Sequence, residues 1–379
     1  MDFDLTEEHR LIQETAYRFA VGEIAPKAKE CDRAEKYPRE IVRQAAELGF
    51  VGPTIPEQYG GPGYGFFEHS LIVEQMARVD LGITQAIESA AFGSQNIVFF
   101  GSEEQKQKYL PPLAAGDMIA AGAYTEPDAG TDIAAARTKA MREGDNWVIT
   151  GNKMFITNGT VCDFMAVFCL TDPQAPSPYE RHSLILVDSG LPGLVATPIK
   201  GKMGLRASDT AEVAFEGVTV PVGNLIGKQG QGFKQLMHFF DATRTVVAAQ
   251  GVGLAQGALD LAIAYAKERI TFGRPLISNQ AVQFTLAEMA TRIEMARLAT
   301  YRAAWLVDQG RPNAKFNSMA KYYAGETAVW VCDQALQLHG GYGYIDEYDI
   351  QRFYRDAKIL EIYEGTKEAE KMVIAKRTI

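Results

Sequence analysis

The chain has 379 residues, of which 47% are hydrophobic, so it is long enough to bury two or three packed layers or domains. Its formal net charge is −9, from 38 basic and 47 acidic residues, and the Lys and Arg residues are scattered instead of forming a stripe. This balance argues against nucleic acid and anionic membrane surfaces as partners. A phosphate-bearing ligand stays possible, because a few local donors and helix N-termini can hold one.

The cysteines and the N-terminal residues indicate in which cellular compartment the protein is expected. Cys31, Cys162, Cys169 and Cys332 form no CxxC pair and lack the close His/Cys spacing of a zinc site. We therefore expect reduced, mostly buried thiols and no metal centre. The first residues lack a secretory signal, and no stretch approaches about 18 uninterrupted apolar residues. The expectation is a cytoplasmic protein without membrane insertion, with an organellar mature form left open.

The first 120 or so residues have a helical pattern. Thr6 is a good N-cap before the acidic residues Glu7 and Glu8. The amphipathic segments that follow lie around residues 9–33, 38–49, 69–79 and 103–114. A glycine-dense stretch at 59–65 predicts a loop.

From about 121 to 230 the pattern changes to short β-type runs separated by turn residues. The runs are 147–150, 164–168, 184–187 and 213–215. After Gly232 the helical period returns, and one face recurs at alternating steps of four and three: Val282, Leu286, Met289, Ile293 and Ala296. Such a face is typical of a helix-bundle seam.

This order predicts an α+β multi-domain fold. The predicted parts are an N-terminal α-helical domain over residues 1–120, a central small β-barrel or sandwich domain over 121–231, and a C-terminal four-helix bundle over 232–379.

Common enzyme motifs are missing. Gly227, Gly230 and Gly232 have the wrong spacing for a GxGxxG dinucleotide site, and no P-loop, GxSxG or HExxH is present. The five histidines are far apart, and surface or helix packing explains each of them most simply. Redox chemistry in such a chain would need a flavin held by another architecture.

Two segments near the helix-to-strand change resemble signatures of the acyl-CoA dehydrogenase family. Residues 125–132, TEPDAGTD, are similar to its TEPxxGSD string, and residues 153–159, KMFITNG, to its KxWITNG strand. The resemblance implies an aromatic ring over the isoalloxazine of FAD and a threonine near its N5. Phe155 stands where Trp is common, which keeps a stacking face and loses the indole N–H. A bare TEP would suit an ordinary domain-junction loop, but the whole eight-residue string favours the family signature. The KMFITNG string taken alone would suit a strand with a buried aromatic at least equally well.

Two further segments resemble the family's elements for the pyrophosphate and adenosine side of FAD, which it binds across a subunit boundary. They are residues 269–273, RITFG, followed by Gln280, and residues 337–341, QLHGG. Arg269 suits a phosphate because its planar fork can hold two oxygens, although a solvated helix residue is the simpler alternative.

The C-terminal string at 355–366, RDAKILEIYEGT, resembles the family's RDAKIxxIYEGT signature and places Glu364 on a helix-to-helix turn, since Gly365 interrupts the helix and Thr366 can cap the next one. The resemblance makes Glu364 the base that removes the α-proton of an acyl-CoA thioester. Some members place the base where this chain has Thr243, which favours Glu364. We expect burial to raise the pKa of Glu364.

The resemblance covers essentially the whole chain and implies the remaining site residues. The implied FAD-binding residues are Ala123, Tyr124, Thr125, Gly130, Thr131, Phe155, Ile156, Thr157, Arg269, Thr271, Phe272, Gln280, Gln337, Gly340, Gly341, Thr366 and Glu368. The implied substrate-binding residues are Thr131, Asp241, Arg244, Glu88, Tyr363 and Gly365. Glu88 lies on a helix that would line the acyl end of the pocket, where it would close the floor or meet a polar acyl group; a surface Glu pairing locally is an equal alternative.

The function implied is FAD-dependent α,β-dehydrogenation of an acyl-CoA to the 2,3-enoyl-CoA in acyl-CoA degradation. An electron-transfer flavoprotein would be the acceptor, and a homotetramer built as a dimer of dimers would be the assembly. Alternatives are an oxidase-like enzyme that uses O₂, a variant specialised for alicyclic or dicarboxylic acyl groups, and a catalytically silent scaffold on the same fold. The acyl group and the physiological direction stay open.

Overall fold

The computed structural model describes residues 4–379, and it begins with a helical layer. Its helices are α1 (Glu7–Phe19), α2 (Ala25–Ala34), α3 (Arg39–Glu47), α4 (Phe66–Ala77), α5 (Leu81–Glu88), α6 (Ser94–Phe100) and α7 (Glu103–Ala114). A π-helical turn at Ala20–Ile24 joins α1 to α2. The predicted cap is confirmed, because the Thr6 hydroxyl accepts a hydrogen bond from the His9 N–H at 3.2 Å.

Helices α5 and α6 fall outside the segments that amphipathic periodicity predicted. Most of α5 is buried, from Leu81 to Ile87. A helix buried on all sides has no polar face, so its sequence gives no 3.6-residue alternation. The family resemblance, by contrast, implied a helix at Glu88, and α5 ends there.

The central part is a curled sheet, which within residues 4–379 has seven strands. They are β1 (Ala120–Ala123), β2 (Lys139–Glu143), β3 (Asn146–Thr157), β4 (Phe164–Leu170), β5 (His182–Asp188), β6 (Leu194–Pro198) and β7 (Thr210–Pro221). The order is β1-β4-β2-β3-β7-β6, with β5 also paired to β4, and β1 runs parallel to β4. The four predicted runs lie within β3, β4, β5 and β7, which confirms them.

The register of β3 against β7 shifts between Lys153 and Ile156. Such a bulge bends the strand and redirects its side chains. It lies at Phe155, a residue of predicted function.

The C-terminal part is a helix bundle. It contains α8 (Gly232–Glu268), α9 (Gln280–Asp308), α10 (Ala314–His339), α11 (Ile350–Ala357) and α12 (Lys367–Lys376), with a hairpin of β8 (Ile270–Thr271) and β9 (Arg274–Pro275) between α8 and α9. The predicted seam of α9 is buried from Val282 to Ala296, which confirms it. The α+β fold class is therefore confirmed. The boundaries at 120/121 and 231/232 stay a prediction, with β1 beginning at Ala120 and α8 at Gly232.

Helix α8 lies at the centre of the helical packing and contacts α4, α9 and α10. A Cβ at Gly253 would lie 2.1 Å from the Glu74 carbonyl oxygen, so glycine is required where α4 and α8 meet. By length and composition α8 could span a membrane, but 78% of its most apolar window is buried inside the protein. All four cysteines are free and buried, as expected.

Candidate functional site

Glu364 lies on a strained turn between a 3₁₀ segment (Lys358–Glu361) and α12. Its φ is +50°, followed by +106° at Gly365. A non-glycine residue in the left-handed region costs roughly 1–3 kcal/mol and such strain concentrates at functional sites. A Cβ at residue 365 would lie 2.1 Å from Oε1 of Glu370, so the turn needs glycine there. Thr366 caps α12 by accepting from the Ala369 N–H at 3.2 Å.

Glu364 is half-buried, and its carboxyl has one hydrogen-bond donor among residues 4–379. Thr243 Oγ1, on α8, donates to its Oε2 at 2.8 Å. Burial raises the pKa of Glu364, as expected, against the opposing effects of the Thr243 bond and the positive charges of Lys321 and Arg244. The backbone N–H of Glu364 donates to no acceptor within residues 4–379. The turn therefore presents a carboxylate and a free amide donor side by side.

A charged cluster lies behind this turn. Arg244 Nη1 contacts Asp241 Oδ1 at 3.2 Å, and Arg244 Nε lies 3.0 Å from Oε1 of the fully buried Glu370. The second contact is an ion pair without hydrogen-bond alignment. From α10, the buried Lys321 donates through Nζ to the Gly365 carbonyl. Three helices thus place charges around one turn.

On the α5 side the site is closed by polar side chains. Gln250 Nε2 donates to Gln85 Oε1 at 2.8 Å, and the Tyr363 hydroxyl donates to Gln250 Oε1. Glu88 lies within electrostatic reach of Glu364, and burial together with that charge raises the pKa of Glu88 to about 8. Within residues 4–379 the Glu88 side chain makes neither an ion pair nor a hydrogen bond, so the alternative of a surface Glu that pairs locally is not what the fold contains.

Hydrogen bonds join the TEPDAGTD loop to the KMFITNG segment at the end of β3. Lys153 Nζ donates to the Tyr124 carbonyl and to Glu126 Oε1, both at 2.9 Å, and the Met154 N–H donates to the Thr125 carbonyl at 2.9 Å. The negative charge of Glu364 contributes to the raised pKa of Tyr124, after burial, so this junction lies near the turn.

Phe155 departs from the pattern of a strand with a buried aromatic. Its φ is +59° and its side chain is 63% exposed. Ile156 is buried beside it and Thr157 is half-buried, while Gly130 and Thr131 are exposed. The strand therefore presents an aromatic face to any planar ligand that binds here.

A second group of predicted residues meets elsewhere, in a groove of about 470 Å³ that includes Arg269, Thr271, Gly340 and Gly341. The Arg269 guanidinium lies 5.5 Å from the ring centre of Tyr342. Thr271 Oγ1 is buried and lacks a hydrogen-bond partner among residues 4–379. Phe272 next to it is fully exposed with φ +51°. Gln280 and Gln337 are exposed, and each lies within a few residues in sequence of a residue that lines the groove.

This groove is far from Glu364 in the same chain. Lys321 touches the Gly365 carbonyl, and His339 lines the groove at the end of the same helix. Eighteen residues of α-helix separate them, about 27 Å at 1.5 Å per residue. The predicted site residues thus form two separate groups.

The remaining predicted residues have other surroundings. Ala123 is buried in β1, and Glu368 is exposed on α12. The sequence prediction missed Gln85, Gln250, Lys321 and Glu370. Gln250 and Lys321 stand as polar residues within buried helix segments, which is the signal that could have found them.

Family models match the chain along nearly its whole length. The N-terminal domain of acyl-CoA dehydrogenases matches residues 6–117, the middle domain residues 121–218, and the C-terminal domain residues 230–379.

Individual proteins agree with these matches. The short-chain specific acyl-CoA dehydrogenase of Clostridium acetobutylicum is 42% identical over 377 residues, 99% of each chain. The solved structure of butyryl-CoA dehydrogenase from Megasphaera elsdenii is 37% identical, with a TM-score of 0.96 over 100% of this chain and 99% of that one. A chain in a structure named for the electron transferring flavoprotein of Acidaminococcus fermentans is 42% identical, with a TM-score of 0.97 over 100% of both chains.

Proposed function

The chain belongs to the acyl-CoA dehydrogenase family, whose members are flavoprotein oxidoreductases, and from this we propose that Glu364 removes the α-proton of a short-chain acyl-CoA in an FAD-dependent α,β-dehydrogenation. The observation that carries the proposal is the turn at Glu364, which combines a half-buried carboxylate with a free backbone N–H.

The residues present suit FAD. Phe155 offers an exposed ring for the flavin, with Thr125 and Thr157 beside it. The unpaired Thr271 hydroxyl and Arg269 offer a donor and a fixed charge to the phosphate and adenosine side. The other residues proposed for FAD are Ala123, Tyr124, Gly130, Thr131, Ile156, Phe272, Gln280, Gln337, Gly340, Gly341, Thr366 and Glu368. When bound, the flavin supplies the acceptor for the β-hydrogen as hydride.

The chain's own residues prepare the proton transfer. Because Thr243 engages Oε2, the Oε1 oxygen of Glu364 is left for the α-proton. The free N–H of Glu364 is a donor for the thioester carbonyl, where negative charge develops as the proton leaves. Burial raises the pKa of Glu364 toward the working pH, which makes it a stronger base. Asp241, Arg244 and Thr131 are proposed to contact the rest of the substrate.

The acyl group is proposed to be short. Gln85, Gln250 and Tyr363 fill the space toward α5 with a hydrogen-bonded network directly beside Glu364. Lengthening the acyl chain would require breaking this network, which would leave buried polar groups unpaired. The short-chain specific and butyryl-CoA relatives support the same assignment.

An electron-transfer flavoprotein is the proposed electron acceptor, supported by the structural relative named for that protein. A homotetramer built as a dimer of dimers is the proposed assembly. The distance between the Arg269 groove and the Glu364 turn in one chain supports the contribution of a second copy to each reaction centre.

Replacing Glu364 by Gln tests the function directly. The variant keeps the fold and the bound FAD, since it removes charge without changing size, but it has no base. We expect flavin bleaching by butyryl-CoA in an anaerobic stopped-flow experiment to slow by roughly 10²–10⁴-fold or more. The exposed Glu347→Gln is the matched control and should reduce at the wild-type rate.

Near-normal bleaching of the Glu364→Gln variant would disprove the base. Wild-type enzyme that bleaches faster with octanoyl-CoA than with butyryl-CoA would disprove the short acyl group alone. Reoxidation of the reduced wild-type enzyme by O₂ faster than by an electron-transfer flavoprotein would favour the oxidase-like alternative.

A further inference from the structure

We propose that Lys321 is a positioning residue for the base: its ammonium holds the turn that carries Glu364 and supplies the buried positive charge that favours the Glu364 carboxylate. This inference rests on the proposed function only in taking Glu364 as the base. It assigns a role to a residue that lies 43 positions earlier in the chain, on another helix.

The first part of the argument is geometric. Lys321 is 1% exposed and lies on α10, where it donates through Nζ to the Gly365 carbonyl. Residues 362–365 lie outside regular helix. Ile362 and Tyr363 still donate to the Ile359 carbonyl, but within residues 4–379 the N–H groups of Glu364 and Gly365 have no backbone acceptor. With φ of +50° at Glu364, the turn needs support from its surroundings to persist. Lys321 supplies a direct bond to it from a rigid element.

The second part is electrostatic. The charged groups around Glu364 are Lys321 on α10, Arg244 on α8, Glu370 on α12 and Glu88 on α5, with the hydroxyls of Tyr124 and Tyr363 also near. Arg244 already pairs with Asp241 and Glu370. Lys321 forms no ion pair among residues 4–379, and its main bond is to a neutral carbonyl, so its charge is less compensated than that of Arg244.

Lys321 is itself surrounded by Glu370, Glu364, Glu361 and Arg244. Burial lowers the pKa of Lys321 to about 8, although the three carboxylates favour its charged form. Lys321 is therefore protonated at neutral pH, where the base must be ionised. A buried positive charge next to a carboxylate lowers the pKa of that carboxylate.

The test measures the pH at which Glu364 ionises in the holoenzyme. We expect Lys321→Met to move the acid limb of the flavin-reduction profile with butyryl-CoA upward by about one pH unit, because a stabilising positive charge is lost. Glu370→Gln should move the same limb downward, because the negative charge of Glu370 raises the pKa of Glu364. Lys321→Arg keeps the charge and should leave the limb at its wild-type position.

A readout independent of turnover accompanies the profile. The infrared C=O band of protonated Glu364, identified by its absence in Glu364→Gln, should titrate with the same shifts. Thr327→Val is the control for disturbance of α10 and should not shift either curve, because it removes a buried hydroxyl on the same helix that has no partner within residues 4–379.

If Lys321→Met lowers the rate equally at every pH, or if it and Glu370→Gln shift the limb in the same direction, Lys321 has only a structural role and the proposal is wrong. Should Lys321→Met fail to fold, Lys321→Gln removes the same charge with a polar side chain, and an unshifted limb in that variant contradicts the proposal. Failure of wild-type enzyme to be bleached by any acyl-CoA would overturn the proposed function instead, while the infrared titration would still report on Lys321.

Discussion

Backbone strain at single residues coincides with the proposed chemistry. Phe155, Phe272 and Glu364 all have positive φ and all belong to the predicted site. For bulky side chains this conformation is rare, because the Cβ meets the backbone. Each such conformation costs of order 1–3 kcal/mol and persists only where contacts from the surrounding fold hold it in place. At Phe155 the β3 bulge supplies the constraint, and at Glu364 the contacts from Thr243 and Lys321 do so.

Glu88 gives a pH-dependent prediction at this scale. The pKa of Glu88 rises on folding from the ordinary range to about 8, so the unfolded chain loses the carboxyl proton at a lower pH than the folded chain does. The free energy of unfolding therefore falls as the pH rises toward 8. Glu88→Gln replaces the ionisable carboxyl group by a neutral amide. We expect its melting temperature to exceed that of wild type at pH 8, and the difference to shrink or vanish at pH 4.5, in thermal unfolding scans.

The exposed Glu40→Gln is the matched control and should differ little from wild type at either pH. An equal change in the Glu88→Gln melting temperature at both pH values would mean that Glu88 does not change its protonation on folding.

Among the elements, one buried ion pair joins the two signature segments of the sheet. Lys153 is fully buried, and Glu126, which it contacts at 2.9 Å, also accepts from the backbone N–H groups of Arg137 and Thr138 at 2.6 and 2.8 Å. Through Lys153 the strand of Phe155 and the loop of Thr125 move as one unit. Both segments are proposed to contact the flavin, so the pair sets their relative position.

Lys153→Met leaves the Glu126 carboxylate buried without its counter-charge. Removing one partner of such a pair costs about 3–5 kcal/mol. We therefore expect a large fall in the urea midpoint followed by circular dichroism, together with loss of bound FAD measured by absorbance.

The double variant Lys153→Met/Glu126→Gln has no unpaired charge and should recover part of the lost stability. A double variant that is less stable than Lys153→Met alone would contradict this account of the pair.

For the whole molecule, the main feature is the separation of two groups of predicted residues within one chain. Helix α10 spans the distance, with Lys321 at the Glu364 turn and His339 at the Arg269 groove. Helix α9 also exposes large apolar side chains at Phe284, Met295, Leu298 and Trp305. An exposed apolar stripe on a bundle helix is typical of a subunit interface. Both features support a centre completed by a second copy.

Subunit complementation tests this arrangement. Glu364→Gln lacks the proposed base and Arg269→Ala lacks the proposed phosphate contact, so each variant alone should be inactive. In a mixed dimer one centre combines an intact Glu364 with an intact Arg269 from the partner. With random pairing, we expect co-expressed chains to recover about one quarter of wild-type activity.

Activity is measured on the whole co-expressed pool, purified without selection for mixed oligomers, and separately expressed variants mixed without exchange are the control. Mixed oligomers no more active than the two variants alone would place the complete centre within one chain.

Much of this protein is determined by local sequence. The helix-to-sheet-to-helix order, the α9 seam and the caps at Thr6 and Thr366 depend on periodicity and on residues three or four positions apart. Family signatures, which are contiguous strings, likewise indicate Glu364 and the TEPDAGTD and KMFITNG segments. Helix α6 and the short strands β1, β2 and β6 fell outside the predicted elements, since short segments carry too few residues for a period.

Only the tertiary structure decided the environment of Glu364, the proposed base. Glu364 lies on the turn before α12, and its neighbours lie on three helices: Thr243 on α8, Lys321 on α10 and Glu370 on α12. Packing of these helices brings the four residues together. The charge states of Glu364, Glu88 and Lys321 depend on burial and on neighbours distant in sequence. A sequence specifies which groups can ionise, whereas the fold sets the solvent and the charges that each one meets.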